Sequence, residues 1–66
     1  MIVAKESVIG FIKNQNDLDK LAKRTGLALS TLYNVMDGKN VESKVVGALL
    51  LETGFDFEKA FEVKED

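Results

Sequence analysis

The sequence predicts an all-α fold, a single compact domain of four to five short helices, and three observations predict it. Apolar residues recur three and four positions apart in successive short runs, the period of a helix face rather than the alternation of a strand. The runs end near Gly26, Gly38 and Gly54, where a left-handed residue would close a helix. The 66 residues include no proline to interrupt a helix and no cysteine to staple one, so packing must hold the domain together. A chain of this length buries about 60% of the surface its unfolded form exposes, enough for one domain over 1–66 and no more.

The elements follow in order. Met1 to Ala4 is apolar and reads equally as a short extended start or as a segment folded onto the core. From Lys5, the spacing of Val8, Ile9, Phe11 and Ile12 predicts a first helix that begins at Ser7 or earlier and ends near Asn14. Gly10 inside it costs about 1 kcal/mol relative to alanine, which marks a place for a close helix crossing. After the polar connector Asn14-Gln15-Asn16, Asp17 is placed to N-cap a second helix. There Leu18, Leu21, Ala22 and Thr25 fall on one face, with Lys23 and Arg24 in the last turn, where cations suit the helix dipole. Leu29, Leu32 and Val35/Met36 repeat the spacing in a third helix, so residues 17–38 read as helix, short glycine turn, helix.

Lys39-Asn40 then forms a loop. Val41 to Thr53 is predicted as a fourth helix, central in the domain because Val45, Ala48, Leu49 and their neighbours make it apolar on nearly every side. Asp56 is placed to N-cap a short fifth helix. Phe55, Phe57 and Phe61 supply three large apolar faces within seven residues: they complete the core, or Phe57 and Phe61 form a twofold dimer patch with Val63. Residues 62–66 read as a short acidic tail.

Composition narrows the function. With no histidine, no cysteine and no glycine-rich phosphate loop, the chain has no nucleophile-plus-base pair and no metal-ligand set, so no catalytic, cofactor-binding or metal residues are expected and the protein is read as a non-enzyme. No apolar run approaches the ~18 residues of a membrane span and no leader pattern opens the chain, which predicts a cytoplasmic protein without a membrane partner. The net charge of −2 is unevenly spread. Residues 1–51 hold seven Lys/Arg against five acids, while residues 52–66 hold two lysines against six acids, so a mildly basic body carries an acidic end.

Leu21-Ala22, Gly26, Ser30-Thr31-Leu32-Tyr33 and Gly38-Lys39 together resemble the helix-turn-helix of the Cro/repressor (Xre-like) DNA-binding family, which includes small phage and antitoxin-like regulators. The resemblance covers about residues 17 to 61, since Gly54, Asp56 and Phe57 look like the family's turn between its fourth and fifth helices. It implies a lambda-repressor-like domain that binds double-stranded DNA sequence-specifically, a small transcriptional regulator of the repressor or Cro-like kind acting at an operator as a homodimer, without a cofactor. The start of the second motif helix would lie in the major groove, where base edges present distinct donor and acceptor patterns.

On that reading Ala28, Leu29, Ser30, Thr31 and Asn34 face bases, and Tyr33, Lys39 and Asn40 face phosphates. Asn34 suits bidentate contact with adenine, Ser30 donates to or accepts from a base or phosphate, and Leu29 packs on a thymine methyl. No arginine is present in this stretch to read guanine. The chain departs from the family at Leu18, where a polar residue commonly meets phosphate, and at Ala28, where a serine commonly caps the recognition helix. The competing expectation is a protein-interaction module, an antitoxin or co-regulator with the same fold and little DNA affinity; the acidic end and Leu29 favour it.

Overall fold

Residues 1–65 are described by the structure, a computed structural model, in the order β1 (Ile2–Ala4), α1 (Glu6–Lys13), α2 (Leu18–Thr25), α3 (Leu29–Met36), α4 (Ser43–Thr53), α5 (Phe57–Ala60) and β2 (Phe61–Val63). All five expected helices form. The expectation of a purely helical chain is corrected by a two-stranded antiparallel sheet in which Ile2 faces Val63, Val3 faces Glu62 and Ala4 faces Phe61.

The two ends meet because each is a short run of β-favouring side chains whose backbone groups need partners. The Met1 ammonium donates to the Lys64 carbonyl at 2.9 Å, the Lys64 N–H to the Met1 carbonyl at 2.7 Å, and the Lys5 N–H to the Ala60 carbonyl at 2.8 Å. The predicted acidic tail at 62–66 is corrected accordingly, since Glu62 and Val63 are strand residues; its last residue, Asp66, lies outside the described residues.

Capping sets the boundaries of α2 as the chain predicts, whereas Asp56, at the N-cap position of α5, makes no side-chain cap bond. The Asp17 side chain accepts from the backbone N–H groups of Asp19 and Lys20 at 3.0 and 3.3 Å, satisfying two donors that the first turn of α2 would leave bare. Gly26 closes α2 at φ 74°, in the left-handed region that an L side chain occupies only with strain. The Leu27 N–H then reaches back to the Ala22 carbonyl at 3.1 Å, and the buried Leu27 side chain pins the turn to the core. α4 starts at Ser43 rather than Val41. Asn40 accepts from the Ile2 N–H and Val41 donates to the Ile2 carbonyl, and Glu42 is extended at φ −72° and ψ 156°, so helical geometry begins only after Glu42.

One cluster fills the interior. Val8 and Ile12 of α1, Leu21 of α2, Leu32 of α3, Leu49 of α4 and Phe61 of β2 are its largest fully buried members. Each helix therefore contributes its apolar stripe to a common centre. Among the described residues no polar or charged side chain is buried and no buried side-chain nitrogen or oxygen lacks a partner. Gly10 meets no close crossing, since a Cβ built there would touch nothing within 4 Å.

Candidate nucleic-acid interface

The turn Gly26-Leu27-Ala28 carries the chain from α2 into α3 and fixes how α3 is presented. Leu32 and Val35 enter the core, while Leu29 and Met36 pack half-buried against its edge. With two sides of the helix committed, the opposite side is left to Ser30 and Asn34, one turn apart and both exposed. Thr31, half-buried, and Tyr33, 49% exposed, flank them, and Ala28 lies exposed at the helix start. Of the five residues expected to face bases, Ser30 and Asn34 thus lie on the open side of α3, with Ala28 exposed just before the helix and Thr31 half-buried at its flank. Leu29 is the exception in part, because its side chain is shared between the core edge and solvent.

Thr31 and Asn34 also line one wall of an open groove of about 430 Å³, whose other wall is the start of α4 at Glu42, Lys44 and Val45. The groove joins the exposed side of α3 to the loop between α3 and α4. That loop is rigidly built. Gly38, at φ 80°, and Lys39 close α3 with bonds from their N–H groups to the carbonyls of Val35 and Asn34, at 3.2 and 3.1 Å. The paired bonds turn the chain sharply and set Lys39 exposed beside the end of the helix.

Asn40 has a use that the sequence reading missed. Its Oδ1 accepts the Ile2 N–H at 2.9 Å, and the next residue, Val41, donates its N–H to the Ile2 carbonyl at 2.8 Å. β1 is thereby held on both edges, by β2 on one side and by Asn40-Val41 on the other. Asn40 is exposed, and its amide NH₂ donates to no group among the described residues, but its carbonyl end braces the loop. Only the β-branched pair Ile2-Val3 hinted at a strand here, and nothing local in the sequence links residue 2 to residue 40.

The charged residues divide into bound and free. Arg24 is spent within the fold: its guanidinium pairs with Glu52 at 2.9 Å and also donates to Gln15 at 3.4 Å, tying α2 to α4 and to the connector before α2. Lys20 and Lys23 on α2, Lys39 in the loop and Lys44 on α4 are exposed. The start of α2 already holds the carboxylate of Asp17, so its helix dipole has its anion. α3, in contrast, begins at Ala28 with no side-chain cap.

Of the three residues expected to form a dimer patch, the structure moves one inside. Phe61 is 1% exposed and belongs to the core, because its place opposite Ala4 in the sheet turns its ring inward. Its ring lies 5.8 Å from that of Phe57, which is 37% exposed, and Val63 is 64% exposed. An outward contact is left to Phe57 and Val63 alone.

No family model, curated protein or solved structure matches this chain. Among the described residues no helix is long and apolar enough to cross a membrane, and no group of three or more acidic residues is placed to hold a metal ion.

Proposed function

We propose that this chain is a small transcriptional regulator, of the repressor or Cro-like kind, that binds double-stranded DNA sequence-specifically through a helix-turn-helix made of α2 and α3 and acts at an operator as a dimer. The observation that carries the reading is the division of α3. One side is anchored by Leu32 and Val35, and the other offers Ser30 and Asn34 to solvent beside an exposed lysine. A helix held in this way presents a fixed set of donors and acceptors, which is what reading a base edge requires.

The roles follow from the positions. Asn34 gives adenine an acceptor and a donor together, Ser30 and Thr31 bond to a base or an adjacent phosphate, and Ala28 admits the duplex closely. Lys39, with the Asn40 amide and the Tyr33 hydroxyl, meets phosphates and fixes register without reading sequence. Phe57 and Val63 supply the contact between two copies, which sets two α3 helices against successive turns of one groove face.

With no arginine on α3, the contacted positions favour A·T pairs. Selection of bound duplexes from a random DNA pool tests this. The expected result is a twofold-related pair of A·T-rich half-sites; guanine-dominated half-sites, or no enrichment over the starting pool, would overturn it.

A further inference from the structure

The outer face of α4 carries two features that the fold does not use. Leu51 is 89% exposed, the most open of the large apolar side chains. Gly47, one turn earlier on the same face, is exposed in mid-helix, where glycine costs stability. Neither of its ordinary excuses applies: its φ is not positive, and a Cβ added there would meet nothing within 4 Å. A protruding side chain and a stretch of helix backbone left bare of one, a turn apart, suit each other in a helix-helix contact. Lys44, also exposed, extends the face at the start of α4, and the exposed Asp56 lies just beyond its end at Gly54.

We infer that this face is a self-association surface whose occupant is a second copy of the same chain, packed with its α4 antiparallel. In that arrangement Leu51 of each copy packs on the bare backbone at Gly47 of the other. Twofold symmetry makes each contact occur twice. Aligning Gly47 with Leu51 sets Lys44 opposite Gly54, so its ammonium meets the negative end of the other α4 and the carboxylate of Asp56. A parallel pairing would instead bring Lys44 against Lys44, which selects the antiparallel form. The glycine then has a reason, since it lets two helix backbones approach closely. This surface is centred on Gly47 and Leu51 of α4 rather than on Phe57 and Val63, though Asp56 adjoins Phe57, and it does not depend on DNA binding; with both in use, the chain assembles beyond a dimer.

Sedimentation equilibrium across the micromolar to millimolar range tests it, with variants that spare the monomer. Leu51→Glu is expected to weaken one association step at least about tenfold, because two leucines per contact lose their burial. Gly47→Ala is expected to raise the melting temperature of the dilute monomer and weaken association at the same time, two opposite effects that no change in folding alone produces. Lys44→Glu weakens the step, and Lys44→Glu combined with Asp56→Lys restores it. A wild-type chain that stays monomeric at millimolar concentration would overturn the inference, as would a Leu51→Glu chain that associates like the wild type, including a dimer lost only on Val63→Lys.

Discussion

Replacing Phe61 with alanine is expected to leave the domain largely unfolded at 37 °C. Phe61 is among the largest side chains that the core encloses completely, and truncation of a buried phenylalanine costs about 3–5 kcal/mol through lost transfer energy and the cavity left behind. A chain of this length has a total stability of about 3–10 kcal/mol. The loss is therefore comparable with everything that holds the domain together. It also reaches beyond the core, because Phe61 opens β2, β2 pairs with β1, and β1 braces Asn40 and Val41. Thermal unfolding followed by circular dichroism checks the prediction. Val63→Ala, two residues along the same strand and mostly exposed, should shift the transition little in dilute solution.

The second large effect is expected in binding. Asn34→Ala should weaken binding to the selected operator by about 1–3 kcal/mol and relax the preference at one base pair of each half-site, while leaving affinity for unrelated DNA nearly unchanged. Stability should hold, since Asn34 is exposed and its side chain makes no hydrogen bond among the described residues, while its backbone, whose carbonyl accepts from Lys39, is untouched by the substitution. Lys39→Ala should behave in the opposite way, weakening binding to all duplexes alike and reducing the dependence on salt by about one phosphate contact per subunit. Competition binding with operator and nonspecific duplexes separates the two outcomes. If Asn34→Ala loses affinity equally on every duplex, the side chain is not reading a base.

The helices were legible because their signals are local. The spacing of Leu18, Leu21 and Ala22, the Asp17 cap and the glycines after α2 and α4 each act within one or two turns, and the structure uses each at its place. The sheet was not legible because it joins residues 2–4 to residues 61–63, and three-residue strands are too short to show an alternation. The same pairing decided Phe61. From the sequence, three phenylalanines within seven residues compete for one small interior; the register against Ala4 puts Phe61 fully inside, while Phe55 packs half-buried against the core and Phe57 stays exposed. Asn40 illustrates the matter for the site. Its polarity and loop position were visible, but the use of its Oδ1 rests on a partner 38 residues away. On α3 the sequence performed better, because the same apolar period that buries Leu32 and Val35 leaves Ser30 and Asn34 outward.

The central claim, that α3 and the loop after it read an operator, is tested most directly by equilibrium binding of the wild-type chain. The measurement compares the duplex upstream of its own gene with an unrelated duplex of equal length across a series of salt concentrations. The account predicts tighter binding to the first by roughly 4 kcal/mol or more, with both affinities falling linearly in log–log form as counterions are released. Equal, weak binding to the two duplexes at every salt concentration would contradict it.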